Sequence, residues 1–192
     1  TPSNAELATI LREMSVFYEM DDTPFKPQAY EKAADALDAF ETEASEVYAA
    51  GGINALKTIP GVGEGIAHHM EALLRTGTFP EYQKYKKRIP VNLAELRKVP
   101  GLGAKNIKAL YQKLKIKNLR ELEAAARAGA IEKIPHFGKR SQENFLKGIE
   151  FLKKNHGRFL LGEIDPVVLA IESFLKKIPG IGQVATAGSY RR

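Results

Sequence analysis

A proline-led turn occurs four times in this chain: "IPGVGEGIAHHM" from Ile59, "VPGLGAKNIKAL" from Val99, "IPHFGKRSQENF" from Ile134 and "IPGIGQVATAGS" from Ile178. Each proline removes a backbone donor and fixes φ, and each glycine admits conformations that a β-carbon resists, so no long helix or strand can run through these points. After the first three turns the apolar residues return at helical spacing: Ile66, Met70, Leu73 and Leu74, then Ile107, Leu110, Tyr111 and Leu114, then Phe145, Ile149 and Leu152. The fourth is followed by "QVATAGSYRR", which has no such stripe and reads as a short strand ending in a Gly-Ser turn. No convincing alternation of apolar and polar residues occurs before residue 160, and the fold class is mainly α.

Upstream of the turns, Leu7, Ile10, Leu11, Met14, Phe17 and Tyr18 predict a helix over 4–20 with Asn4 as its N-cap. "DDTPFKP" interrupts it, and one helix is expected from about Gln28, with Tyr30, Ala33, Ala34, Leu37 and Phe40 inward and Gly51–Gly52 at its end. A short helix over 53–58 leads into the first turn. The polar, proline-containing "KYKKRIPVN" separates subdomains at about 1–87 and 91–157. "NHGRFLLGEIDP" then precedes one more helix, "VVLAIESFLKKI", in a third segment over 158–192.

The chain has 192 residues, 44% of them apolar, enough for a substantial core. It has no cysteine, which excludes disulfides and thiolate metal sites. No apolar stretch matches a membrane span and the start lacks the pattern of a secretory signal, so a cytoplasmic location is expected, with no membrane partner. The net charge of +6 conceals a split: residues 1–58 hold 4 Lys/Arg against 11 Asp/Glu, a balance of −7, leaving +13 for residues 59–192. A basic segment that coincides with all four turns points to a polyanionic partner, because each phosphate neutralised by Lys or Arg releases condensed counterions. The structural alternative is a solvated cationic surface.

The pattern apolar-Gly-apolar-Gly between two helices is that of a helix-hairpin-helix unit. The glycines bare the amides at the start of the second helix, where the helix dipole favours a phosphate, and the grip falls on the nucleic-acid backbone rather than on bases. Val62 and Leu102, between the glycines, are expected to point inward and pin the turn. Candidate DNA-binding residues are therefore Gly61, Gly63 and Gly65, then Gly101, Gly103 and Lys105, with ordinary tight turns as the alternative. In the third copy His136 replaces the first glycine, so Gly138, Lys139 and Arg140 are expected to form a weaker grip. His136 itself reads as a turn residue, since no carboxylate or cysteine set accompanies it at metal-ligand spacing.

"TPFKPQAYEKAADAL" near the start, two hairpin turns 40 residues apart and "GSYRR" near residue 190 together resemble the family X DNA polymerases, the DNA polymerase beta-like group, and especially their bacterial and archaeal members. The resemblance covers essentially the whole chain. It implies a helical lyase-like subdomain over 1–87, a helical thumb or fingers subdomain over 91–157 and, from 158, the first element of a nucleotidyltransferase palm. The family's carboxylate triad would lie beyond Arg192, so no catalytic residue is assigned within this chain, and magnesium is expected only in a full-length parent. The resemblance further implies that Gly188, Ser189 and Arg192 contact the phosphates of an incoming dNTP.

By the same resemblance, Lys26, Tyr30 and Lys57 match positions that hold a 5′-phosphate, and Phe25 sits where a residue stacks on a base. The position that carries the Schiff-base lysine in lyase-active members is His69 here, and Gly65 replaces another frequent lysine. Recognition of a 5′-phosphate without efficient lyase action is expected. Carbonyls at Lys57, Ile59 and Val62, and at Arg97, Val99 and Leu102, correspond to sites for a sodium or potassium ion that bridges protein to DNA. The resulting expectation is a monomeric, nucleoid-associated part of a gap-filling enzyme of base excision repair that binds nicked, gapped or primer-template DNA. A non-catalytic hairpin module and a deoxyribose-phosphate lyase are the alternatives.

Overall fold

A computed structural model describes residues 1–154, 168 and 171–176. Its first helix, α1 (Asn4–Met20), has the expected bounds, but Ser3 and not Asn4 is its N-cap. Ser3 is extended, its side chain accepts from the Glu6 amide, and the Glu6 carboxylate accepts from the Ser3 amide, a reciprocal capping box. Asn4 is buried and serves a different end. Its Nδ2 donates to the carbonyls of Phe40 and Thr42 at 3.2 and 2.9 Å, and its Oδ1 accepts from the Ala44 amide at 2.8 Å.

Those three bonds correct the helix expected from Gln28 to Gly51. The chain instead forms α2 (Lys26–Asp38) and α3 (Ala44–Leu56), separated by a connection that Asn4 holds in place. Phe40 lies in this connection, half-buried rather than on an inward helical face. Gly51 and Gly52 leave helical geometry inside α3, Gly52 with φ 62°, so the expected interruption occurs there. Next come α4 (Glu64–Thr76), α5 (Pro80–Arg88), α6 (Leu93–Leu96), α7 (Ala104–Leu114), α8 (Leu119–Arg127) and α9 (Lys139–Lys154). Among the described residues all regular structure is helical, and no helix is long and apolar enough to cross a membrane.

Two compact units divide the chain at Glu150/Phe151, and the polar break at 87–91 falls inside the first. Leu7, Leu11, Met14 and Phe17 of α1 are fully buried, as are Ala33, Ala34 and Leu37 of α2, which packs on α1, and Met70 and Leu73 of α4. Phe17 stacks on Tyr85 with ring centroids 5.0 Å apart, which ties α5 to α1. The fourth proline-led turn, the expected strand after it and Gly188, Ser189 and Arg192 lie outside the described residues.

Candidate nucleic-acid interface

The first three turns share one geometry. In the first, the Val62 amide donates to the Ile59 carbonyl at 3.0 Å across Pro60 and Gly61, and Gly61 is left-handed with φ 81°. In the second, Leu102 donates to Val99 at 3.1 Å and Gly101 has φ 78°. In the third, Phe137 donates to Ile134 at 3.0 Å, and His136 takes up φ 72° where the others have glycine. The residue after the left-handed position is buried each time: Val62, Leu102 and Phe137. Each turn is thus pinned by one apolar anchor and closed by one backbone bond, as the alternation of large and small residues requires.

A left-handed non-glycine residue costs about 1–2 kcal/mol, so the packing around Ile134 and Phe137 imposes this conformation on His136. His136→Gly is expected to raise unfolding stability by about 1 kcal/mol, read as a shift in the urea midpoint. An unchanged or lower midpoint would show that the histidine side chain compensates for its backbone.

The second glycine of the first two turns behaves differently. Gly63 (φ −85°, ψ 178°) and Gly103 (φ −75°, ψ 173°) occupy extended backbone open to any residue, and a β-carbon built on either meets nothing within 4 Å. The fold itself does not demand glycine there. Both are N-caps without a side-chain cap, so they leave the first amides of α4 and α7 uncovered at the positive end of each helix dipole. A β-carbon on Gly65 or Gly138 likewise meets nothing within 4 Å.

The three helix starts differ in charge. α4 begins with Glu64, whose carboxylate takes a 2.7 Å contact from Lys57 and lies 3.3 Å from His68 Nε2; the Lys57 hydrogen bond holds its pKa below the ordinary glutamate range. α7 and α9 have no acid in their first turn, and α9 opens on Lys139 and Arg140. The third helix start is therefore more cationic than the first. Lys105 of α7 reaches Asp22 at 2.6 Å, and the Asp22 hydrogen bond raises its pKa. Beside it Lys108 donates to the Met20 carbonyl and lies 3.5 Å from Asp21, which also accepts from Arg88 at 2.6 Å and from the Tyr85 hydroxyl at 3.1 Å. Arg97, before the second turn, stands 3.8 Å from Glu31.

Of the residues expected at a 5′-phosphate, the structure gathers Lys26, Tyr30 and His69. The Tyr30 hydroxyl and His69 Nδ1 share a hydrogen bond of 2.6 Å, and His69 stacks on Phe79 at 4.0 Å between centroids. Lys26 lies over the Tyr18 ring, its Nζ 4.4 Å from the centroid. Glu81 completes the cluster, with its two oxygens 4.0 Å from Lys26 Nζ and 3.8 Å from His69 Nε2. Lys57 is directed at Glu64 instead. Phe25 is left-handed with φ 63°, 85% exposed, and borders a groove of about 560 Å³ with Arg97 and Glu31 that shares no residue with the His69 cluster.

Burial pushes the His69 pKa below 6.5, against the opposing pull of Glu81. The unfolded chain then binds more protons than the folded one between that lowered pKa and 6.5, so this contribution to stability is complete above about pH 6.5 and is lost as pH falls. A urea midpoint that drops on moving below pH 6.5 is expected for the wild type and a smaller drop for His69→Gln; equal drops would rule out His69 as the source.

Glu81 and Tyr18 were not visible as site residues in the sequence. Glu81 follows Pro80 as an ordinary acidic residue in a helix's first turn, and nothing in its spacing links it to Lys26 or His69.

Residues 2–79 match the helix-hairpin-helix domain family and residues 92–145 match the SAM-like helix-hairpin-helix tandem. The chain is 29% identical over 188 residues to the DNA polymerase/3′-5′ exonuclease PolX of Bacillus subtilis (strain 168), covering 97% of this chain and 32% of that protein. Over 137 residues it is 29% identical to the Holliday junction branch migration complex subunit RuvA of Pseudomonas fluorescens (strain SBW25), covering 71% of this chain and 64% of that subunit. It thus spans about a third of the first relative's length and under two thirds of the second's.

Proposed function

We propose that this chain, similar along almost its whole length to a family X DNA polymerase, is the DNA-binding portion of such an enzyme and grips nicked or gapped DNA by its backbone. The observation that carries this reading is the set of helix starts laid bare at Gly63 and Gly103, positions where the fold would accept a side chain and a closely approaching phosphate would not. The third turn repeats the geometry with Lys139 and Arg140 at its helix start, which supports a third grip of at least equal strength.

Lys26, with His69 oriented by Tyr30, would hold the 5′-phosphate at one edge of a gap. His69 does not supply the amine that Schiff-base chemistry needs, so the reading is recognition without lyase action. The Ile59 and Val99 carbonyls each accept one in-turn hydrogen bond and retain a second lone pair, which suits a sodium or potassium ion shared with a DNA phosphate. Lys57 and Val62, and Arg97 and Leu102, would supply the remaining carbonyls. Within a longer parent this portion would position primer-template DNA for repair synthesis in the nucleoid.

The test is affinity for intact duplex, nicked duplex and a one-nucleotide gap carrying a 5′-phosphate, all at one salt concentration. The gapped substrate is expected to bind about tenfold tighter than intact duplex, a difference of about 1.4 kcal/mol. Equal affinities would overturn the gap reading. The similarity to RuvA favours a second reading, a junction-binding module, and tighter binding to a four-way junction than to the gap would select it.

A further inference from the structure

The cluster around His69 already contains an anion, and that anion belongs to the protein. We propose that Glu81 is an internal placeholder for the 5′-terminal phosphate, and that the buried Tyr18 hydroxyl is a further donor that completes the site once the Glu81 side chain has left it. The inference rests on the reading of Lys26, Tyr30 and His69 as a 5′-phosphate site.

The hydrogen-bonding pattern defines the vacancy that a phosphate would fill. A carboxylate only accepts, so Glu81 on the Nε2 side of His69 favours the tautomer with its proton on Nε2, and Nδ1 is left to accept from the Tyr30 hydroxyl. Tyr30 thereby orients the ring, and His69 Nε2–H and Lys26 Nζ converge on one acceptor position, which the Glu81 oxygens approach at 3.8 and 4.0 Å. These separations exceed ordinary hydrogen-bond lengths, so both donors are only loosely served. Glu81 is 38% exposed at the start of α5, and a change of its rotamer is enough to carry the carboxylate into water.

Tyr18 supplies the independent observation. It is 1% exposed, and its hydroxyl has no hydrogen-bond partner, although it lies near Tyr30 and Glu81. An unpaired buried hydroxyl is costly, and a native structure rarely keeps one without a reason. Lys26 sits over the face of the same ring. A phosphate in the place of the Glu81 carboxylate has three terminal oxygens, enough to accept from Lys26, His69 and Tyr18 together. With Glu81 in place, the Lys26 charge is balanced and His69 is held toward its neutral form by burial, so a dianion meets no net positive charge.

The test measures the ratio of affinities for a one-nucleotide gap ending in a 5′-phosphate and the same gap ending in a 5′-hydroxyl. Wild type, Glu81→Gln, Lys26→Ala, Tyr18→Phe and the double variant Glu81→Gln/Tyr18→Phe are compared, with Glu81→Ala as a second removal of the carboxylate. Glu81→Gln is expected to raise the ratio about tenfold, through the phosphorylated substrate alone. In that background Tyr18→Phe should lower the ratio again, although it keeps the ring beneath Lys26. A rise shared by both substrates would mark Glu81 as a general repulsive charge and overturn the placeholder. A ratio untouched by both glutamate variants but lowered by Lys26→Ala would overturn the placeholder and leave the phosphate site standing. A ratio that Lys26→Ala does not change would remove the phosphate site itself, and with it this inference.

Discussion

Gly103→Val will weaken binding to duplex DNA about ten- to hundredfold while leaving the urea midpoint almost where it was. The loss corresponds to one charge-assisted amide-to-phosphate bond at roughly 1.5–3 kcal/mol. The unchanged stability follows from φ −75° and ψ 173°, extended backbone in which valine is at ease, and from the open space around the added β-carbon. Gly101→Val is the contrasting variant. Its φ of 78° makes any β-carbon strained, so about 2 kcal/mol of stability should be lost along with binding. The loss for Gly103→Val should be the same for unrelated duplex sequences, since the contact is to the backbone. Filter binding or fluorescence anisotropy beside urea denaturation measures both quantities; full affinity in Gly103→Val would remove the helix start of α7 from the interface.

Gly148→Val will cost about 3 kcal/mol or more of folding stability, the largest effect expected of a single change outside the central core. A β-carbon on Gly148 would stand 2.8 Å from Pro100 Cδ and 3.3 Å from Val99 Cγ1. Pro100 is part of the second turn and has little freedom to retreat, so α9 itself must shift. Gly148→Ala should lose less, about 1–2 kcal/mol, because the better helix propensity of alanine offsets part of the overlap. Because α9 begins at the third turn, the same shift should weaken DNA binding through two turns at once. Thermal denaturation of both variants provides the measure, and wild-type stability in Gly148→Val would show that the contact between the turn and the helix is dispensable.

The turns were legible because proline, glycine and a buried apolar residue have fixed places in them. Val62 and Leu102 pin their turns as their position between glycines implies. The third turn is less legible, since the glycine its conformation favours is absent and only the structure shows His136 in the same backbone state. At the start of the chain the four residues "SNAE" carry a readable capping box, Ser3 to Glu6, that outranks Asn4. The break between α2 and α3 has no glycine or proline to announce it: it exists because Asn4, some forty residues away, bonds the backbone at Phe40, Thr42 and Ala44. The meeting of Glu81 with Lys26 and His69 is tertiary in the same sense, three residues from three separate helices.

The acidic elbow at the end of α1 gives the basic half of the molecule an occupation when no nucleic acid is present. Asp22 holds Lys105 and Asp21 holds Arg88 and Lys108. A phosphate that reaches Lys105 therefore takes it from another anion rather than from water, and the transaction is an exchange of like for like. Raising ionic strength loosens both sides of that exchange, so the chain's grip on DNA should be less sensitive to added salt than its tally of lysines and arginines would suggest.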